Sequence, residues 1–155
     1  MIRPVSVSVE VPYSRKDVYD FLDVMANHEL FTDHVMKDWE YSGPPSGVGS
    51  KARVHVAAGG KVDTIDIVVV SGTEPSSIVE ENTGAKGKRI ANGTYRLDEL
   101  PGGKTRITFE YAWRQAPFSE RLAAPVIRRM MRQWNEKAMQ RLSALLDERL
   151  PEKNQ

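Results

Sequence analysis

Valine at positions 5, 7, 9 and 11 alternates with Ser6, Ser8 and Glu10, the period of two of a strand with one buried face. Pro12-Tyr13 interrupts the alternation, and Ser14-Arg-Lys-Asp17 reads as a capping box that opens a helix. Val18, Phe21, Leu22 and Met25 then recur at helical spacing and predict a short helix, with a further turn or two over residues 29–34. From Lys37 onward the period of two returns. Strands are predicted over residues 37–42, 51–58, 62–70, 78–83, 89–97 and 105–114, separated by Gly- and Pro-rich turns such as Gly59-Gly60. Asn92-Gly93 is read as a bend or bulge, because a hairpin there would cut one good strand into two very short ones. In residues 51–58, Ala52, Val54 and Val56 share one face, leaving Lys51, Arg53 and His55 on the other. The last strand is the clearest, with Ile107, Phe109, Tyr111 and Trp113 set against Arg106, Thr108, Glu110 and Arg114.

The final third changes period once more. Pro117 ends the strand, Ser119 is the candidate N-cap, and Pro125 suits the first turn of a longer helix. Residues 126–150 contain neither Gly nor Pro, enough for one helix of roughly 36 Å at ~1.5 Å per residue. Ile127, Met130, Met131, Trp134, Ala138, Leu142 and Leu145 fall on one side of it, and Arg128, Arg129, Arg132, Glu136 and Ser143 on the other. One strand, two short helices, six consecutive strands and a long helix make an α+β fold. Short turns between successive strands imply a seven-stranded antiparallel sheet with the first strand at an edge. A sheet of that width must coil, and its concave side is where the long helix can bury its stripe.

Composition narrows the setting. A chain of 155 residues suits one domain, expected over 1–150 with a loose tail at 151–155. A formal net charge of +1 argues for neither nucleic acid nor a membrane surface as partner. With no cysteine, disulfides and thiolate metal sites drop out, and a reducing cytoplasm is the expected location. The N-terminus lacks the apolar core of a signal peptide, and no run approaches the ~20 apolar residues of a membrane span.

These elements resemble the START-like helix-grip superfamily (SRPBCC), and within it the polyketide cyclase/dehydrase and lipid-transport group. The resemblance is carried by Val11-Pro-Tyr-Ser-Arg-Lys-Asp-Val18 into Tyr19-Asp-Phe-Leu22, by Phe31-Thr-Asp-His-Val35, and by Gly47-Val-Gly49. Thr94-Tyr-Arg-Leu97, Gly102-Gly-Lys-Thr-Arg-Ile-Thr-Phe-Glu110 and the terminal helix complete it. Phe31 stands where many relatives carry Trp. The resemblance implies a helix that grips the curved sheet without filling it, leaving a pocket for a hydrophobic or amphipathic molecule. The lining expected on this basis is Phe31, Val54, Val56, Tyr95, Phe109, Tyr111, Trp113, Met130, Met131 and Trp134, with Phe31 flanking the entrance. Met adapts its shape, while Tyr and Trp bring polar tips into an apolar wall. The plain alternative is that these side chains interlock as a solid core.

Reactive constellations are sparse. His28, Glu29, Asp33 and His34 cluster without metal-site spacing and read as a solvated helix end, with His34 edging the pocket mouth. No metal or cofactor is expected. Neither Ser119 nor Ser143 sits in a nucleophile motif, and no glycine pattern cradles phosphate. Three functions follow. The first is binding, transport or sequestration of a lipid, sterol, quinone or polyketide-like molecule by a monomer or homodimer. The second is an aromatase/cyclase-like enzyme moving protons with Tyr95, Tyr111, Glu80 or His55. The third is an interaction module using the Arg128, Arg129 and Arg132 face, for which a solvated surface is the simpler reading.

Overall fold

The computed structural model describes residues 1–150, and the tail expected at 151–155 lies outside them. β1 (Val5–Val11) leads into α1 (Arg15–Leu22) and α2 (Met25–Thr32). Six strands follow: β2 (Met36–Ser42), β3 (Lys51–Ala58), β4 (Lys61–Thr73), β5 (Ser77–Gly84), β6 (Arg89–Leu100) and β7 (Lys104–Gln115). The chain ends in α3 (Phe118–Leu122) and α4 (Ala124–Arg149). Among the described residues the strands form one seven-stranded antiparallel sheet in the order β1-β7-β6-β5-β4-β3-β2. Each strand from β2 onward pairs with its successor, and β1 closes on β7 with Val7 opposite Phe109. The helix-grip class is therefore the observed one.

Local chemistry explains most boundaries. Ser14 caps α1, its Oγ accepting the Asp17 amide at 3.2 Å. That helix stops at Leu22 rather than running to Met25, and α2 begins at Met25 rather than Glu29. The junction is held from outside: the Met25 amide donates to the Pro45 carbonyl at 3.2 Å, and Val24 bridges to Ser46. β4 runs on to Thr73 past its expected end at residue 70, because a bulge between Val69 and Ser71 lets it continue pairing with β5. β6 passes unbroken through Asn92-Gly93, while its register against β7 slips at Ile90/Ala91.

The terminal helix is divided. α3 and α4 meet at Ala123, and Pro117, not Ser119, precedes α3; no side chain caps it. Pro125 does sit in the first turn of α4. The helix packs chiefly on β1 and α2. Its fully buried positions are Ala138, Met139, Leu142 and Leu146, whereas Ile127, Met130, Met131, Trp134 and Leu145 are half-buried. The stripe thus turns toward Met139 and Leu146 in the second half, where α2 joins β1 as a packing partner.

Candidate functional site

Alternation assigns the inward side chains of the sheet. On β3, Ala52, Val54 and Val56 are buried as expected, and His55 lies outside, with its Nδ1 3.1 Å from Asp38 Oδ2. On β7, Ile107, Phe109, Tyr111 and Trp113 all face in. Glu110 lies on the other side, taking a hydrogen bond from Ser6 Oγ at 3.3 Å. The unexpected strand is β5, where the buried positions are Ile78, Glu80, Asn82 and Gly84. Two cross-strand rows follow from the register: Asn82–Ala91–Trp113 and Glu80–Gly93–Tyr111. A sheet interior that is aliphatic on β3 and aromatic on β7 therefore has a polar strip between them.

Glu80, Asn82 and Trp113 are each 5% exposed. Glu80 Oε2, Asn82 Oδ1 and Trp113 Nε1 have no hydrogen-bond partner. Such orphaned groups cost about 1–3 kcal/mol each, and native proteins carry few of them. Burial pushes the Glu80 carboxyl up to about 7, partly opposed by a hydrogen bond from Asn82. Gly93 makes room for it: a Cβ there would lie 3.0 Å from Glu80 Oε1 and 3.0 Å from the Phe109 ring.

His28 joins this group from α2. Its Nε2 lies 2.7 Å from the Leu22 carbonyl, so Nε2 carries the proton and Nδ1 presents a lone pair toward Glu80 Oε2, 4.0 Å away. Burial lowers its pKa, and its ring meets Phe31 and Tyr95 at centroid distances of 5.4 and 5.3 Å. Burial also raises Tyr95 well above its usual range and Tyr111 to about 12. His28 is thus part of the interior, not of a solvated helix end. The other three of that sequence cluster face elsewhere. Glu29 accepts from the Tyr41 hydroxyl, and Asp33 pairs with Arg141. His34 donates from Nε2 to the Trp134 carbonyl at 3.1 Å and accepts from Arg141 at Nδ1 at 2.9 Å. Instead of edging a mouth, His34 ties α2 to the middle of α4.

One end of the polar strip is bounded by an ion-pair bridge. Arg89 on β6 donates to both Glu120 oxygens, at 2.8 and 2.5 Å, and to Asp63 Oδ2 at 2.7 Å, joining α3, β6 and β4. Gly84 leaves room for the bridge: a Cβ there would stand 2.5 Å from Arg89 Nη1 and 2.9 Å from Asp63 Oδ2, so both side chains would have to shift. Above the bridge, α3 and the start of α4 show apolar side chains to solvent: Phe118, Leu122 and Val126 are 65, 71 and 69% exposed.

Of the ten residues expected to line a pocket, Val54, Val56, Tyr95, Phe109, Tyr111, Trp113 and Phe31 share the buried interior. Phe31 is wholly buried, so it backs the interior and does not flank an entrance. Met130, Met131 and Trp134 are half-buried on α4. The seven interior side chains are at most 8% exposed, so little of the interior wall meets solvent. Two hollows lie elsewhere, one of about 490 Å³ on the outer face by Tyr41, Arg53, Asp66 and Thr83, the other of about 350 Å³ between β1 and α4. The arginine face of α4 is not free either. Arg128 donates to the Arg3 and Pro4 carbonyls at 3.0 and 2.9 Å, and Arg132 to the Ser6 carbonyl at 3.3 Å, covering the open edge of β1.

Sequence reasoning missed Asn82 and His28 and left Glu80 undecided. For β5 a usable signal existed: with Ile78 facing inward, period two puts 80 and 82 on the same side. For α2, Met25, His28 and Phe31 recur every three residues, as one helix face does, but no capping residue marks where that helix starts.

No family model and no curated protein matches the chain. Solved structures do. A protein from Thermus thermophilus superposes with a TM-score of 0.71 at 15% identity, covering 91% of this chain and 94% of its own. A START superfamily protein from Mycobacterium smegmatis gives 0.69 at 13% identity, over 94% and 97%. Major latex-like protein 151 from Panax ginseng gives 0.67 at 10% identity, over 91% and 95%. At such identities the likeness is one of fold.

Proposed function

We propose that this chain, which has the START-like helix-grip fold, binds a hydrophobic or amphipathic small molecule between its sheet and α4. The observation that carries the reading is the set of buried, unpartnered polar atoms of Glu80, Asn82 and Trp113 among aromatic rings on the inner face of the sheet, in a fold whose long helix is only half-buried along its first half. A solid core with no guest has no use for three orphaned groups; a site that awaits one does. Trp134, Met131 and Met130 form the movable wall, and Phe109, Tyr111, Trp113, Tyr95, Phe31, Val54 and Val56 the fixed one. The guest enters past α3 and the first turns of α4, where the Arg89 bridge and only partly buried apolar side chains such as Ala124 and Ile127 hold the helix.

Magnitudes set the affinity. Removing ~300 Å² of apolar ligand surface from water contributes about 7 kcal/mol at ~25 cal/mol/Å². Association costs of ~4 kcal/mol upward offset much of it, so polar contacts decide selectivity. Transport or sequestration would follow from binding. Among the described residues no helix is long and apolar enough to cross a membrane, and the lack of cysteine suits a reducing cytoplasm. The test is displacement of the neutral dye Nile red by sterols, fatty acids, quinones and polyketides. Saturable dye binding with displacement supports the reading; failure of the dye and all four classes to bind removes it.

A second reading has one specific observation in its favour. Glu80, His28, Tyr95 and Tyr111 share the interior, and a carboxyl near 7 beside a neutral imidazole suits proton transfer. His55, outside the sheet, drops out of that set. Incubation with a poly-β-ketone thioester, comparing Glu80→Gln with the parent, tests it. Cyclised product that disappears in the variant supports an aromatase/cyclase-like enzyme.

A further inference from the structure

Hydrogen-bonding capacity inside the sheet is unevenly divided, and the imbalance specifies a guest. Three groups there offer lone pairs: Glu80 Oε2, Asn82 Oδ1 and His28 Nδ1, the last because His28 spends its proton on the Leu22 carbonyl. On the sheet one unpartnered group donates, Trp113 Nε1; a second unpartnered donor, Asn135 Nδ2, belongs to α4. Asn82 and Trp113 flank Ala91 in one row, so at ~4.8 Å per strand their Cα atoms stand about 10 Å apart across a residue that contributes only a methyl. Glu80 is the next inward residue along β5, and His28 approaches it from above at 4.0 Å, too far for a direct hydrogen bond. A small group reaching this spot meets acceptors on two sides and a donor on the third.

Resting on the binding reading above, we infer that Glu80, Asn82, Trp113 and His28 form a subsite for the uncharged hydroxyl head group of an otherwise apolar ligand, and that this subsite rejects carboxylates. A hydroxyl both donates and accepts. Its O–H can serve Glu80, His28 or Asn82, and its oxygen can accept from Trp113. A carboxylate brings acceptors only and faces Glu80. The guanidinium within reach, Arg89, is already spent on Glu120 and Asp63. An anion would therefore be desolvated with no cation to meet it. An ammonium could satisfy the acceptors, but it would leave the Trp113 N–H unpaired and must give up its own hydration to a single carboxyl. Glu80 thus sets what the site refuses, and Trp113 helps set what it accepts.

The test uses one chain length with three head groups. Displacement of Nile red at pH 8 is measured for 1-dodecanol, dodecanoate and dodecylamine with the full chain, Glu80→Gln and Trp113→Phe. The expected result is displacement by dodecanol at a concentration about tenfold below either charged analogue, the size of one hydrogen-bond or ion-pair mismatch. Glu80→Gln should improve dodecanoate about fivefold or more, and Trp113→Phe should weaken dodecanol about threefold with little change for dodecanoate. Dodecanoate or dodecylamine equal to or better than dodecanol on the parent chain overturns the subsite, a comparison that needs no variant to fold. Nile red that binds but is displaced by none of the three also overturns it while leaving the hydrophobic site in place. Absence of saturable dye binding removes both readings together.

Discussion

The two halves of α4 are held by different physics. From Ala138 onward the helix buries Ala138, Met139, Leu142 and Leu146 completely. There Tyr13, itself wholly buried, donates to Asp147 at 2.6 Å, and Arg141 ties the helix to the end of α2 through Asp33 and His34. Before Ala138 the same helix buries no residue fully. Arg128 and Arg132 hold it to backbone carbonyls of the N-terminal segment and β1, and Glu120 of α3 holds it through Arg89. Apolar burial is lost when a helix lifts, whereas the exposed contacts of Arg128 and Arg132 exchange with water at small net cost, which leaves the part-buried Arg89–Glu120 pair and the half-buried Ile127, Met131 and Trp134 to hold the first half. The second half is therefore an anchor and the first half a flap, and the unpartnered interior polar groups lie on the sheet that this helix covers.

The sharpest way to break the comparison is to cut one large side chain from each half. Leu142→Ala should lower unfolding free energy by about 3–5 kcal/mol, the cost of a cavity at a fully buried leucine. Trp134→Ala removes a larger side chain from a half-buried position and should cost about 1–2 kcal/mol while weakening Nile red binding severalfold. Urea melts and dye titration on both variants read the contrast. Equal destabilisation would mean that α4 is one continuous anchor.

The next effect concerns the interior that the flap covers. Glu80 in the folded chain titrates near 7, against an ordinary value of 4.5, so the native state holds its proton longer than the unfolded state. Its stabilising contribution is complete below about 4.5 and is lost as pH rises through about 7. His28 acts oppositely: burial lowers its pKa from 6.5, so stability is lost as pH falls below 6.5 and the unfolded state takes up the proton. The other titratable groups facing Glu80, Tyr95 and Tyr111, are shifted upward and stay neutral across this range. Glu80→Gln should raise stability at pH 8 by on the order of 3 kcal/mol, at ~1.36 kcal/mol per pKa unit, and leave it nearly unchanged at pH 4. The limb of His28 and His34, both lowered by burial, should then remain, with stability rising up to about pH 6.5 and flat above. Melts from pH 4 to 9 measure this, and a variant no more stable at pH 8 than the parent would place Glu80 in contact with water.

How far these features could be read in advance follows from the same physics. β1, β3 and β7 announce themselves because one face is apolar and the other polar, so Val54 and Tyr111 were assignable from alternation alone. β5 does not, since Ser77 to Gly84 carries Glu80 and Asn82 on its inner face and the alternation blurs there. The polar inner face of β5 and the failure of the pattern have one cause. α2 hid His28 because the contact that starts this helix, Met25 to Pro45, is distant in sequence. The stripe on α4 was legible as apolar, yet which part is fully buried depends on where α2 and β1 meet it. Leu145 and Leu146 differ in burial for that reason.

The smallest expected effect compares two arginines, one from each half. Arg141 bonds His34 Nδ1 at 2.9 Å, the Leu30 carbonyl at 3.3 Å and the Asp33 carboxylate, so Arg141→Ala leaves Nδ1 of a part-buried histidine without its donor and frees the end of α2. It should cost about 1–2 kcal/mol. Arg132 bonds one carbonyl, that of Ser6, at an exposed edge where water can replace it. Arg132→Ala should therefore cost no more than about 0.5 kcal/mol. Its effect should fall on rates, because a flap with one fewer tether lifts more often. Stopped-flow exchange of Nile red should be faster in Arg132→Ala and unchanged in Arg141→Ala, with equilibrium affinity little altered in the former. If Arg141→Ala speeds exchange and Arg132→Ala does not, the opening end of α4 is its C-terminal half, and the roles of anchor and flap are reversed.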